Sequence, residues 1–531
     1  MRKILLYLPI IVGLLIFPMG CDQYLEEDLF SSFGEGNFPN EATVETMVNA
    51  THRFMGVLVV NNHRMFWATE FPTPSVHYRF RQVHERNHLS TWSWNNTFTD
   101  PAYFEIMDHI WNTIRMSNDI IGLVPDIEME DTQRQAEIVG EAKFLRAMTY
   151  FYAVRLWGGM PIIDKAQTLD DELFPARSSI AETYAFIIQD LQDAASVLPT
   201  RSEYTSRGFN AGHITKGAAL GTLAKVYLTM AGEPLNDNSN LQAAKDALDQ
   251  VISSGEYALV QSATPYQDLW DWQNDNNEEF IYAIQKQGTQ QNFRGIFGYM
   301  TPSDPTEGIW TTTTDFSAGS ALDGVPPEFA KWYESHDSGP RYDWTIITEY
   351  TLTRDNATHS AGEVFTMEDG DRAQGYIGKY RAVGAELDNN FFCPNNFPVL
   401  RYADVLLMHS EVTNELGSAD YTGLNATRAR AGLPPLSGLS QSEFRDAVFL
   451  ERDLELTFEQ NMLFDMRRRG LEYCKAKLEG FYNPNQNESS PGAGDGYPQD
   501  FQFTIEPHRM LYPYPPRELA SNPNLEQNPG Y

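Results

Sequence analysis

The sequence predicts a mainly α-helical protein with a long-loop, irregular portion beside its helices. Three observations predict it. Apolar residues recur at helical spacing in segment after segment of the 531-residue chain. Small residues recur where neighbouring helices would cross closely. Two regions, 61–100 and 258–399, break the periodicity with Gly, Pro, Asn, Thr and aromatic residues, and the tail from 480 onward resembles them.

Helical spacing runs through 41–60 (EATVETMVNATHRFMGVLVV), 102–124 (AYFEIMDHIWNTIRMSNDIIGLV), 133–157, 179–198 and 212–231. Ser179 stands three residues before Glu182, a capping-box start for the fourth of these. A shorter segment at 241–254 ends at Gly255, which fits a C-cap. Two more lie at 400–417 and 441–470. Ala218, Ala219, Gly221 and Ala224, and then Ala243, Ala244 and Ala247, let helices approach closely. The pairing points to degenerate tetratricopeptide-type hairpins, although no strict period of about 34 residues survives.

The N-terminus reads as an export signal. Arg2 and Lys3 precede LLYLPIIVGLLIF, then Pro18-Met19-Gly20-Cys21. This predicts a signal peptide at 1–20, lipidation at Cys21 and a lipid-anchored tether at 21–40. Pro18 departs from the leucine usual in such a cleavage box. No later stretch approaches the roughly 18 to 20 apolar residues of a membrane span, so the lipid is the predicted anchor.

Composition narrows the function classes. The hydrophobic share of 42% and aromatic share of 13% predict a folded chain with a large core. A net charge of −33 argues against nucleic acid, whose phosphates need clustered Lys and Arg. Besides Cys21 only Cys393 and Cys474 are present. They are read either as one disulfide of an oxidising compartment or as two free buried thiols.

Four ordered segments resemble the SusD/RagB family. EAKFLRAMTYFYAVRLWGGMPII (141–163) resembles its signature helix. LRYADVLLMHSEVTNELG with LNATRARAGLPPL (400–417 and 424–436), ERDLELTFEQNMLFDMRRRG (451–470) and the closing LYPYPPRELASNPNLEQNPGY (511–531) resemble later ones. The resemblance implies a SusD-like fold, with an N-terminal helical region at 41–257 and a C-terminal region with ligand loops and closing helices at 258–531. It implies a nutrient-binding outer-membrane lipoprotein of Bacteroidota that performs no chemistry and serves a SusC-like, TonB-dependent transporter. The acidic run Glu26-Glu27-Asp28 is similar to the surface-export signal of such lipoproteins.

The signature residues have structural explanations. Arg146, Tyr150 and Arg155 share a helix face. Arg401, Tyr402 and Asp404 are read as satisfying buried groups, and Arg452, Arg467, Arg468 and Arg469 as ion pairs with the abundant carboxylates. Ligand capture needs other residues. A sugar ring offers an apolar face for aromatic stacking and a rim of hydroxyls for amides and charges. By the family's pattern the matching loops are 61–100 and roughly 299–325. They nominate Trp67, Tyr78, Trp92, Trp94, Asn95 and Asn96, with Trp310 and Phe316 in the second loop. The competing reading is that these aromatics plug the loops onto the helices.

Two motifs point elsewhere. His84-Glu85-Arg86-Asn87-His88 fits the H-E-x-x-H zinc pattern, with Glu105 as a conceivable third ligand. Its surroundings lack an apolar helix face, and sugar contact by either histidine is the stronger alternative. Asp271, Asn274, Asp275, Asn276, Asn277, Glu278 and Glu279 offer oxygen ligands for calcium without EF-hand spacing, or else form a solvated turn. No other cofactor is expected. The leading function is capture of oligo- or polysaccharide at the cell surface. Peptide binding on the same scaffold and a surface zinc or glycoside hydrolase are the alternatives.

Overall fold

The computed structural model describes residues 40–61, 64–78, 87–95, 101–168, 170–209, 212–286, 311–312, 323–351, 360–367, 375–381, 383, 386–387, 394–481 and 505–531. The leader, Cys21, Cys393 and the rest of the tether to residue 39 lie outside the described residues.

Helical hairpins build most of the molecule. The helices are α1 (Glu41–Gly56), α2 (Pro101–Leu123), α3 (Thr132–Trp157), α4 (Ile180–Val197), α5 (Lys216–Ala231) and α6 (Leu241–Ser253). Helix α3 packs on α2 and α4, α5 packs on α4 and α6, and α6 meets α7 (Tyr402–Glu415). The fold is therefore mainly helical with hairpin stacking. The capping signals operate as expected: Ser179 Oγ accepts from the Glu182 N–H, and the Glu182 carboxylate accepts from the Ser179 N–H. A cap of this kind contributes about 1 kcal/mol. Gly255 follows the end of α6 in the left-handed region, at φ +69°. At Gly221 an added Cβ would stand 2.7 Å from a Leu400 methyl, so the crossing is tight there and a side chain would require Leu400 to shift.

Three predicted elements end or divide differently. The helix expected from residue 400 starts at Tyr402, because Phe397–Arg401 is a strand paired antiparallel with Phe280–Ile284. The latter is buried along its whole length, and its aromatic and β-branched side chains fit a covered strand. The segment 441–470 divides into α8 (Gln441–Glu455) and a short helix Met462–Arg468. Phe458 and Gln460 between them take φ of 66° and 60°. The Tyr380 hydroxyl donates to the Phe458 carbonyl at 3.0 Å, holding that turn in place. The first helix closes in a π-helical turn, Val57–Asn61. The irregular regions also hold short helices that periodicity missed, among them Arg64–Glu70 and Pro327–His336.

One apolar cluster runs from Met55 to Leu525. It crosses the expected boundary at 257/258, for example where the Phe144 and Tyr282 rings meet edge to face at 4.9 Å. The closing run returns to α3: the Trp157 indole donates to the Pro513 carbonyl, and the Asn528 amide donates to the Trp157 and Tyr512 carbonyls.

Candidate functional site

The two loops nominated for ligand capture meet. His77–Tyr78 pairs antiparallel with Asp323–Gly324, so the backbone of Tyr78 faces Asp323. Thr311–Thr312, directly after Trp310, runs parallel to Glu386–Leu387. A single bridge joins Val325 to Gly375. Short pairings of this kind fix where a loop leaves the scaffold. Asn95 is exposed at the end of the first loop's described part. The side chains of Tyr78, Asn96, Trp310 and Phe316 lie outside the described residues.

Three of the nominated aromatics are not at a ligand surface. Trp67, Trp92 and Trp94 are 0% exposed and belong to the core. The Trp92 indole donates to the Pro72 carbonyl at 2.8 Å, and the Trp94 indole donates to the Leu511 carbonyl at 3.3 Å. The Trp92 and Trp94 rings lie 5.0 Å apart. The Arg467 guanidinium sits over Trp92 and Tyr512. Trp67 stacks on Phe71 and carries Arg64 at 5.0 Å from its centroid. An indole covered on both faces has none left for a sugar ring, so these three fasten the loop to the core. Trp92 does so at φ 51°, a conformation that costs an L residue about 1–2 kcal/mol. Burying large aromatics offsets that cost.

The zinc pattern is not assembled in the described residues. The helix there spans only Asn87–Ser90, and His84 and Glu85 lie outside the described residues. His88 Nδ1 contacts Ser93 Oγ at 2.7 Å. Glu105 accepts from Arg64 through both oxygens. Among the described residues no group of three or more His, Cys, Asp or Glu side chains is arranged to hold a metal.

The stretch 271–279 is a hydrogen-bonded turn whose oxygens face protein donors. Asp271 caps the short turn that follows it. The Asn277 amide donates to the Leu269 and Asn274 carbonyls. Asn276 and Gln285 exchange amide hydrogen bonds. Glu279 is buried between Arg401 and Arg430. Asp275 accepts from the Asn396 N–H, and burial pushes its carboxyl up to about 7.

Most of the signature arginines form ion pairs, while Arg155 and Arg467 bond to backbone carbonyls. Arg146 grips Asp190 through two nitrogens at 2.8 Å and reaches Asn118 Oδ1. The Tyr150 hydroxyl donates to the Pro161 carbonyl and accepts from the Ile163 N–H. Arg401 binds Glu279, Glu455 and Glu459, while Arg341 binds Asp337, Glu451 and Glu455. Burial alone would raise Glu455, but Arg430, Arg401 and Arg341 carry it well below the usual carboxylate range. Arg452 joins Asp404 to Asp465, Arg468 binds Glu411 and Arg469 binds Asp446. Arg467 is the correction. Among the described residues it takes no carboxylate and instead donates to the Arg155 carbonyl beneath the aromatic rings.

Two open grooves of about 560 and 530 Å³ lie on the helical side. Neither is lined by an aromatic residue, so neither offers the stacking surface a sugar ring needs.

The described residues thus form a helical-hairpin scaffold braced by buried arginine–carboxylate networks, with two irregular loops joined by a short strand pair. Two family models match the chain: the SusD family over 278–531, and "starch-binding associating with outer membrane" over 24–228. The chain belongs to the SusD/RagB family. It is 29% identical over 431 residues to SusD-like protein P2 of Formosa agariphila, covering 77% of this chain and 76% of that one. It is 22% identical to the starch-binding protein SusD of Bacteroides thetaiotaomicron, over 88% and 85%. A solved SusD superfamily protein of Parabacteroides distasonis superposes with a TM-score of 0.74 at 25% identity, covering 92% and 99%.

Proposed function

We propose that the chain is a cell-surface glycan-binding lipoprotein, anchored through Cys21, that captures oligo- or polysaccharide and delivers it to a TonB-dependent outer-membrane transporter. The observation that carries the reading is the strand pair joining His77–Tyr78 to Asp323–Gly324, which brings the two aromatic loops to one place on a rigid scaffold. The starch-binding name of the family model and of the Bacteroides relative supports a glycan as the ligand class. No helix among the described residues is long and apolar enough to cross a membrane. A lipidated cysteine with several acyl chains is a stable anchor, at about 0.8 kcal/mol per buried methylene.

Tyr78, Trp310 and Phe316 are the residues expected to touch the sugar, with Asn95 and Asn96 at its hydroxyls. A glycan array followed by titration calorimetry tests this. Trp310→Ala and Tyr78→Ala are expected to weaken binding by roughly 1–3 kcal/mol each, the range of a buried aromatic body. Binding of oligopeptides and no glycan would overturn the ligand class. Palmitate labelling that persists in Cys21→Ala would overturn the anchor, and pull-down from solubilised outer membrane tests the transporter.

A further inference from the structure

Glu70 ends the short helix Arg64–Glu70, and the chain then turns through Thr73 and Ser75 into the strand that carries Tyr78. Glu70, Thr73 and Ser75 are all 0% exposed. Their oxygens close a ring. Glu70 Oε2 lies 3.0 Å from Ser75 Oγ. Ser75 Oγ lies 2.7 Å from Thr73 Oγ1. Thr73 Oγ1 lies 2.6 Å from the Glu70 carbonyl oxygen.

Oxygens at these separations need a proton between each pair. The two hydroxyls supply one proton apiece, and a carbonyl supplies none. Three contacts therefore need a third proton, and within the ring only the Glu70 carboxyl can hold it. Nearby N–H groups do not substitute: the Ser75 N–H reaches Thr73 Oγ1 at 3.2 Å, and the Gln460 N–H reaches the other carboxyl oxygen at 2.7 Å. With Glu70 ionised, one contact would set lone pair against lone pair in a buried site, which is unfavourable.

We propose that Glu70 is a neutral carboxylic acid below neutral pH, and that its proton closes the ring that positions the Tyr78 loop. The acid donates to Ser75, Ser75 donates to Thr73, and Thr73 donates to the Glu70 carbonyl. The facing charges are Lys379, which favours the anion, and Glu459, which opposes it; these two pair with each other at 2.6 Å. Burial outweighs the hydrogen bond from the Gln460 N–H and lifts the carboxyl to about 7. Glu70 is thus a positioning residue. Only its importance for ligand capture rests on the function proposed above, because the proton count does not.

Infrared difference spectra of the whole protein, wild type against Glu70→Gln, test the proton from about pH 5 to about pH 9. A protonated-carboxyl C=O band is expected in the wild type at the acid end. In the wild-type-minus-variant difference it should fade past about pH 7, the Asp275 carboxyl being common to both proteins and cancelling. No such band at about pH 5 overturns the assignment. Amide hydrogen exchange at Thr73 and Ser75 tests the positioning. The glutamine amide keeps donating to Ser75 at every pH, so the two proteins should exchange alike at about pH 6. At about pH 9 the wild type should exchange about fivefold faster, the factor for one ordinary hydrogen bond. An unchanged ratio overturns the positioning role. A wild type that shows the band but binds no glycan refutes the proposed function and leaves Glu70 intact.

Discussion

Trp94 and Tyr512 meet edge to face with their ring centroids 4.8 Å apart, tying the first long loop to the closing run of the chain. Tyr512 also donates its hydroxyl to the Ala68 carbonyl at 2.6 Å, so one tyrosine fastens both ends of that loop. Trp94→Ala is therefore expected to destabilise the fold by about 3–5 kcal/mol, as a large aromatic truncation in a core does. Urea unfolding reads this directly. Glycan affinity per folded molecule should stay unchanged, in contrast to Trp310→Ala.

Arg401 holds Glu279, Glu455 and Glu459 at 2.6–2.8 Å with every partner buried. Arg401→Leu leaves those carboxylates with fewer cations in a site closed to water. We expect a loss of about 3–5 kcal/mol in urea unfolding. Combining it with Glu455→Gln should cost less than the sum, because the second change removes a charge the first left with one cation fewer.

Stability should fall steeply in acid. Burial raises Glu141, Asp404 and Glu455, but their partners overcome it and hold all three well below the ordinary values of 4.5 and 3.8. For Glu141 those partners are His213, His52 and Arg134; for Asp404 they are Lys225 and Arg452. A depressed native pKa contributes stability above the unfolded pKa and loses it as pH falls through the native value. The urea midpoint should drop as pH falls below about 4.5. Glu70 and Asp275 act with opposite sign. Both are raised to about 7, so their contribution is fully present below the ordinary values of 4.5 and 3.8 and is lost as pH rises from there through about 7. A midpoint indifferent to pH across this range would contradict the ion-pair assignments.

Cys474 is a free, buried thiol, and burial pushes it up to about 12. Thiolate is the reactive form, so the folded protein should resist alkylation at this residue. In a Cys21→Ala, Cys393→Ser protein, maleimide should label one thiol in urea and almost none natively. Rapid native labelling would show the helix Leu471–Phe481 opening.

Much of the fold is legible in the sequence because helical periodicity and caps are local signals. Ser179 with Glu182, and the end of α6 before Gly255, show this directly. The candidate site is less legible. Trp92-Ser93-Trp94 beside two asparagines reads equally as a sugar platform and as a core plug. What separates the readings is Tyr512 and Arg467, which arrive from the far end of the chain. The break at 456–461 is similar: its left-handed residues are held by Tyr380 and Glu70, which no local pattern announces.

The sequence by itself determined the helical class and the family to which the chain belongs. Each rests on periodicity or on motif order, which survive without knowledge of contacts. Only the tertiary structure decided which aromatics are buried, that Arg467 bonds to a backbone carbonyl, and that Glu70 needs a proton. Those depend on groups distant in sequence meeting where water is excluded, and there partners and proton count set the chemistry of each side chain.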